Sequence, residues 1–164
     1  MLNSPLKITF CGHSRFANQE EIFQELVQTL DQFFVLAIEK DIAIEFYCGG
    51  YGTFDHMSSK AINHLREKYP DVETHKFLIT PYITESFKER IEAMRNDYDD
   101  VIFPPLESVP LKFAIPERNK WMINESDIVI AYVDHGWGGA AQTLRFAYRK
   151  KKNIFRIASD YDVQ

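Results

Sequence analysis

Three short apolar segments of this sequence lead directly into glycines. Residues 7–11, 43–48 and 127–133 have the length and hydrophobicity of buried β-strands, and the turns after them hold all seven glycines of the chain. Each turn is followed by a segment with the periodicity of an amphipathic helix. This alternation predicts an α/β fold with one parallel sheet and helices on both faces, because right-handed crossovers place the helices there.

Further strands and helices complete this order. A strand at residues 75–79 ends before Pro81, whose missing backbone donor discourages continued pairing, and a strand at residues 154–157 follows the last helix. Pro116 fits the first turn of a short helix that ends near Glu125. The predicted helices are residues 20–38, 54–69, 116–125 and 139–151.

The alternation breaks between residues 80 and 115. Ser86 and Glu89 form a capping box that predicts a short helix, and three prolines between residues 104 and 110 interrupt the segment after it. We expect this segment to form a rim or lid within a single domain that spans residues 1–164.

The composition is that of one folded globular domain. The chain has 164 residues, of which 45% are hydrophobic, and its net charge of −5 disfavours nucleic acid and anionic membranes as partners. No segment reaches the roughly 18 continuous apolar residues of a membrane span, and no leader pattern precedes the first strand, so we expect a cytoplasmic protein. Cys11 and Cys48 are expected to be buried thiols at strand ends rather than a disulfide. The basic run 149–152 is expected at a helix end, where cations offset the helix dipole.

The glycine turns predict a binding site at one edge of the sheet. In an open parallel sheet, ligands bind at the carboxyl ends of the strands, where the three turns should meet. Glycine lets a phosphate approach backbone N–H groups, and the helix that begins next adds partial positive charge. Ser14, Arg15 and Thr53 can then donate hydrogen bonds to phosphate oxygens. Turn geometry alone explains one such glycine loop, but three at the same edge favour a phosphate site.

Aromatic and ionisable residues lie in the same turns. Tyr51 and Trp137 offer rings on which a nucleobase can stack. Three histidines fall at this edge with nearby carboxylates, but they come from separate loops without metal-ligand spacing, so no metal site is predicted. The sequence holds no P-loop, nucleophile elbow or dinucleotide fingerprint, which disfavours hydride transfer and standard ATP hydrolysis. No cofactor is expected. These histidines and carboxylates are His13, His56, His135, Asp55 and Asp134.

Five motifs of the sequence are FCGH at 10–13, FYCGGYGTFD at 46–55, PPLE at 104–107, RNKWM at 118–122 and DHGWGGA at 134–140. Taken together, they resemble the SLOG superfamily, which includes the DNA-processing protein Smf/DprA and the LOG phosphoribohydrolases. The resemblance covers nearly the whole chain and is strongest to small stand-alone members. It implies a Rossmann-like domain with a nucleotide-type ligand over the strand ends. LOG-like relatives commonly pair through helices that flank the site. The first helix here is very apolar, with Phe33, Phe34 and Ile38 near its end. The resemblance and this helix together imply a homo-oligomer, most simply a dimer.

The resemblance to the LOG enzymes is incomplete at the catalytic position. Those enzymes cleave the N-glycosidic bond of a nucleoside monophosphate with an arginine, which Arg118 matches here, and a glutamate, whose place falls on Thr143. Threonine cannot supply the carboxylate that stabilises an oxocarbenium-like transition state, so glycosidic cleavage is disfavoured and no catalytic residue is assigned. Asp55, His56 and Glu107 are the residues that could substitute.

The sequence thus predicts a SLOG-type protein that binds a nucleotide or a nucleotide-derived small molecule, with a sensor role as one use of that binding. The alternative is a nucleoside monophosphate N-glycosidase of the LOG type. Single-stranded DNA binding is a third hypothesis, which the acidic charge disfavours. The predicted ligand-binding residues are Gly12, His13, Ser14, Arg15, Gly49, Gly50, Tyr51, Gly52, Thr53, Arg118, Asn119, Asp134, His135, Gly136, Trp137, Gly138, Gly139, Ala140 and Thr143.

Overall fold

The computed structural model describes residues 3–81, 85–158 and 161–162, apart from the side chains of residues 85–87. The strands within them are Leu6–Gly12 (β1), Ile44–Cys48 (β2), Thr74–Ile79 (β3), Asp100–Ile102 (β4), Ile128–Tyr132 (β5) and Asn153–Arg156 (β6). The helices are Gln19–Lys40 (α1), Thr53–Lys68 (α2), Glu85–Met94 (α3), Leu111–Glu125 (α4) and Gly139–Arg149 (α5), with a 3₁₀ turn at Arg95–Asp97. No helix in this part of the chain combines the length and apolar character that a membrane crossing needs.

The described strands form one parallel sheet in the order β4-β3-β2-β1-β5-β6. Ile8 in β1 lies opposite Phe46 in β2 on one side and Ile128 in β5 on the other. The chain therefore starts in the middle of the sheet, steps outward to β4 and then returns to the other side of β1. This reversal places a topological switch point between β1 and β5, which is where open α/β sheets have a crevice. The predicted α/β fold is confirmed.

The two faces of the sheet carry different cores because side chains along a strand alternate in direction. On one face, Ile8 and Phe10 of β1 pack with α1 and α2 in the larger apolar cluster. The ring of Phe34 in α1 stacks there at 6.0 Å from Phe46 and 5.8 Å from Tyr69. On the other face, Cys11 packs with α4 and α5 in a cluster made mainly of small side chains. Both faces are thus covered by helices, as predicted.

The structure corrects the surface predicted for α1. Phe33 and Phe34 are buried in the core and do not contribute an exposed apolar patch, whereas Ile38 is more than half exposed. An apolar residue at the edge of a wide helical stripe can be either buried or exposed, and the sequence pattern does not distinguish the two cases.

Two elements between residues 80 and 125 also differ from the sequence prediction. β4 pairs in parallel with Phe77–Ile79 of β3 and was not predicted, because its three residues are too few to show a period. The predicted start of α4 at Pro116 is wrong: the helix begins at Leu111, after Pro110. Pro116 removes one helical hydrogen bond, but Ala114 and Arg118 on the same helix are buried, so tertiary packing holds the turn around it. α3 lies in the predicted rim segment, while the Ser86 capping box falls on side chains outside those described.

Candidate functional site

A cavity of about 420 Å³ opens at the carboxyl ends of β1 and β5. It lies at the switch point of the sheet, and its walls come from the turns after β1, β2 and β5 and from one face of α4. The sequence-predicted residues among its lining are Gly12, His13, Ser14, Arg15, Tyr51, Arg118, Asn119, His135, Trp137, Gly138, Gly139, Ala140 and Thr143. The lining also includes Phe10, Cys11, Asp55, Ile115 and Met122.

The turns after β1 and β2 are fastened to each other. The N–H of Thr53 donates to the carbonyl of Ser14 at 3.0 Å. Gly52 has φ +94°, and a Cβ on it would lie 2.7 Å from the Cα of Ser14, so the close approach requires glycine. A Cβ on Gly12 would overlap the ring of the fully buried Phe54. These contacts fix Ser14 and Arg15 at the mouth of the cavity.

Arg118 ties α4 to the ends of two strands. Its side chain is 4% exposed, and Nη1 donates to the carbonyls of Gly49 at 3.0 Å and Ile79 at 2.9 Å. Its Nε donates to the Oδ1 of Asn119 at 2.9 Å. Burial lowers the pKa of Arg118, and the nearby charge of Asp55 opposes that shift. Arg118 therefore organises the cavity wall as well as lining it.

Asp55 is the one carboxylate among the described residues that line the cavity. It lies in the first turn of α2, and its Oδ2 accepts the N–H of Tyr51 at 2.8 Å. Burial raises the pKa of Asp55, while Arg118 and this hydrogen bond act in the opposite direction. A Cβ on Gly49 would lie 3.0 Å from Asp55 Oδ2 and 3.2 Å from the Arg118 guanidinium, so glycine leaves room where the two groups meet.

Three rings stack on the β5 side of the cavity. The centroids of His13 and His135 are 3.8 Å apart, and those of His135 and Trp137 are 3.7 Å apart. Trp137 ends the stack and is 71% exposed. On the opposite rim, Tyr51 is half exposed and the Arg90 guanidinium of α3 lies 4.3 Å from its ring centroid. The two exposed rings are each supported from behind by a second planar group.

His13, Asp134 and His135 form the cluster of potential metal ligands in the described part of the chain. His13 Nε2 lies 3.0 Å from Asp134 Oδ1, but the same nitrogen already accepts the backbone N–H of Asp134 at 3.0 Å. Burial and the neighbouring His135 lower the pKa of His13 against the effect of Asp134. A metal ion would have to displace that hydrogen bond and separate two parallel rings, so this geometry fits a packed hydrogen-bonded turn better than a metal centre. The absence of a metal site stays a prediction.

Six predicted residues lie outside the cavity lining. Gly49 and Gly50 border a smaller adjoining pocket, and Thr53 faces a groove of about 490 Å³ between α1 and α2. That groove is larger than the cavity, but His56, Lys60 and its other lining residues come from α1 and α2, and none of the glycines lines it. The cavity is the better candidate because the glycine turns converge there. The other residues outside its lining are Gly52, Asp134 and Gly136.

Sequence reasoning missed the cavity floor and the apolar wall of α4. Ile115 and Met122 share a helical face with Arg118 and Asn119, so their spacing of three and four residues was the available signal. Cys11 is the last residue but one of β1, and its Sγ lies 3.1 Å from the carbonyl of Ala140. Burial raises the pKa of Cys11 to about 12, so it is a packed thiol and not a nucleophile.

Solved structures of other proteins share this fold. No protein-family model matches the sequence, and no curated protein matches it. The structure is similar to DNA processing protein A (DprA) from Streptococcus pneumoniae, with a TM-score of 0.59 and 15% identity over 93% of this chain and 50% of that one. DprA from Helicobacter pylori, which binds single-stranded DNA, has a TM-score of 0.58 and 16% identity over 93% of this chain and 65% of that one. This chain thus spans less than two thirds of either DprA.

A third similar structure is that of a carrier protein. The Moco carrier protein from Chlamydomonas reinhardtii gives a TM-score of 0.55 and 13% identity over 95% of this chain and 78% of that one. At such low sequence identities, structural similarity shows only that the fold is shared. The chain therefore shares a Rossmann-like α/β fold with the DprA and Moco carrier structures, as its sequence predicts.

Proposed function

We propose that this protein binds a nucleotide or a nucleotide-derived small molecule in the cavity above β1 and β5. The observation that carries the proposal is Gly139, the first residue of α5. Its φ is not positive, and a Cβ built on it would meet no atom of the described residues within 4 Å. Neither turn geometry nor packing requires glycine at this position. Close approach of a ligand to the backbone of Gly139 would account for glycine there.

The surroundings of Gly139 suit a phosphate. The first turn of α5 lines the cavity and contains no acidic residue, so no carboxylate within that turn opposes the positive end of the helix dipole. Ser14 and Arg15, both exposed at the mouth, supply a hydroxyl and a guanidinium. The negative charge of Asp55 is offset by Arg118. We therefore assign the phosphate to Gly139, Ser14 and Arg15.

The exposed rings suit the base. Trp137 presents one face beyond the His135 stack, and Tyr51 stands on the opposite rim. Stacking on an aromatic ring tolerates any nucleobase, so these rings support nucleotides as a class. The contact of Arg90 with Tyr51 joins segment 80–115 to the cavity mouth and supports its proposed role as a rim.

Thermal unfolding with a panel of nucleoside monophosphates tests this proposal. A ligand at about 100 times its dissociation constant should add roughly 2.7 kcal/mol to the free energy of unfolding. Gly139→Ala should leave the unfolding midpoint of the free protein unchanged or higher, because alanine favours helix, and should abolish most of the ligand-induced shift. Arg15→Ala should weaken binding without unfolding the protein, whereas Arg95→Ala, in the exposed 3₁₀ turn after α3, is the matched control. Ligand-induced shifts that survive Gly139→Ala and Arg15→Ala would contradict the proposed site.

Asp55 favours a second candidate function, N-glycosidic cleavage of a nucleoside monophosphate. Thr143 at the position of the LOG glutamate donates its hydroxyl to the carbonyl of Gly139 at 2.8 Å and supplies no carboxylate. Asp55 brings a carboxyl with a raised pKa into the same cavity, and such a group can protonate a leaving base. We expect no appreciable base release. Release that is lost in Asp55→Asn, while the nucleotide still raises the unfolding midpoint, would establish the enzyme instead.

A homodimer remains part of the proposal. Val35 and Ile38 on α1 and Phe155 on β6 are exposed and leave apolar surface near the end of α1. Light scattering at high micromolar concentration should return the mass of two chains. A monomer mass would contradict it. Nucleotide binding by a dimer would suit a sensor, because a ligand that binds the dimer more tightly than the monomer shifts the association equilibrium toward the dimer.

A further inference from the structure

A second groove continues from the cavity between α4 and α5. It has a volume of about 290 Å³ and shares Ile115, Asn119, Gly139 and Thr143 with the cavity lining. The groove follows α5 from Gly139 to Arg149, which is about 15 Å of helix at 1.5 Å per residue. An elongated ligand can therefore extend from the cavity along α5.

The groove is strongly cationic. Lys120, Arg145 and Arg149 line it, and no acidic residue does so in the part of the chain that the structure describes. Around the ring of Phe146, the Lys120 Nζ lies 5.7 Å, the Arg149 Cζ 5.8 Å and the Lys150 Nζ 5.5 Å from the centroid. Glu117 pairs with Lys120 at 3.3 Å and is the nearby counter-charge that the structure shows. Cations gathered in this way repel one another, and an anion in the groove would relieve that repulsion.

Helix-end charge does not account for this arrangement. Arg149 lies in the last turn of α5 and Lys150 follows it, where cations offset the helix dipole. Lys120, however, lies within α4, on the other wall of the groove. Arg145 is held by a hydrogen bond of 2.6 Å to the carbonyl of Gly136, so it links the groove to the turn after β5. The remaining cations converge on a space that is continuous with the proposed phosphate position at Gly139.

We propose that the ligand carries a chain of phosphates, as a nucleoside triphosphate does, and that the terminal phosphates lie in the α4–α5 groove against Lys120 and Arg149. This inference rests on the proposed function and specifies the class of ligand. The first phosphate lies at Gly139, and the chain continues past Thr143. Phosphate oxygens suit these partners, because charge-assisted hydrogen bonds from lysine and arginine are among the strongest in proteins.

Calorimetric titration tests this inference with a nucleoside monophosphate and the triphosphate of the same base, without divalent cations. The native protein should bind the triphosphate at least about tenfold more tightly, and added salt should reduce the difference. The double variant Lys120→Gln with Arg149→Gln should bring the two affinities together and leave monophosphate affinity unchanged. The double variant Lys40→Gln with Arg95→Gln, which removes the same charge away from the groove, should keep the preference.

Each result separates the two proposals. Equal affinity for both nucleotides in the native protein would overturn the groove and leave the cavity intact. Failure of every nucleotide to bind would overturn the proposed function, and the groove with it. A triphosphate preference that survives Lys120→Gln with Arg149→Gln would also overturn the groove. So would tight binding of a short single-stranded oligonucleotide without any preference for the triphosphate, since the groove would then serve nucleic acid.

Discussion

The two faces of the sheet are built from different side chains. The α1–α2 face is filled by large residues such as Phe34, Phe46 and Leu30, which are fully buried. Over β1 and β5, the α4–α5 face is filled mainly by small residues such as Ala131 and Ala147, whereas Tyr47 and Trp121 fill it over β2. The cavity and the cationic groove both lie on this side of the sheet. Small side chains over β1 and β5 leave room for a ligand between the helices and the strand ends.

This difference separates stability from ligand binding. Because the apolar contacts are concentrated on the α1–α2 face, substitutions there should change the free energy of unfolding without changing the shape of the cavity. Substitutions at the turns on the other side should change binding at a smaller cost in stability.

The largest expected effect comes from a matched pair of buried leucines. Leu30 in α1 and Leu144 in α5 are both fully buried. Leu30→Ala should reduce the free energy of unfolding by about 4–5 kcal/mol, because the large side chains around it cannot fill the space that the substitution leaves. Leu144→Ala should reduce it by about 3 kcal/mol. Urea unfolding measures both. A cost at Leu144 that equals or exceeds the cost at Leu30 would break the comparison.

A smaller effect is expected at Gly12. Because a Cβ there would overlap Phe54, Gly12→Ala should reduce the free energy of unfolding by about 1–3 kcal/mol and also weaken nucleotide binding. Gly139→Ala should weaken binding alone. Urea unfolding and calorimetry on the two variants distinguish a glycine that serves packing from one that serves a ligand. Loss of stability in Gly139→Ala similar to that in Gly12→Ala would show that both serve packing.

The smallest effect is a pH dependence that arises at His13. Its pKa in the folded protein lies below the ordinary value of 6.5, mainly through burial. The unfolded chain then binds more protons, so His13 makes no difference to stability well above pH 6.5 and costs stability as the pH falls below it. His13→Gln, which cannot titrate, should lose less stability than the native protein between about pH 7 and pH 5. Identical pH profiles for the two proteins, from urea unfolding, would show that His13 titrates normally.

Much of the fold could be predicted because its periodic segments are long. The apolar stripe on α1 and the apolar runs of β1, β2 and β5 predict which segments are helices and which are strands. The alternating order of these segments along the chain predicts the parallel sheet. β4 was not predicted because three residues at the edge of a sheet show no hydrophobic period. The start of α4 was misplaced because packing tolerates Pro116 inside the helix. Local sequence patterns do not contain such tertiary compensation.

The candidate site was predicted in its turns but not in its walls. Glycines mark where the chain must pass closely, so the turns after β1, β2 and β5 were visible in the sequence. Arg118 was identified by resemblance, but its hydrogen bonds to the carbonyls of Gly49 and Ile79 depend on how α4 crosses the sheet. The convergence of Lys120 and Arg149 on Phe146 depends on the same crossing, since α4 and α5 are separated in sequence by β5.

Nuclear magnetic resonance tests most directly whether the ligand binds on the α4–α5 side. Backbone amide shifts are recorded while a nucleoside monophosphate is added to the isotope-labelled protein. The largest changes should fall at residues 12–15 and 138–143, with Tyr51 affected at the rim, and the amides of α1 should not move. Changes centred on the α1–α2 groove around Phe23 and Lys60, or no changes with any nucleotide, would contradict the proposed site.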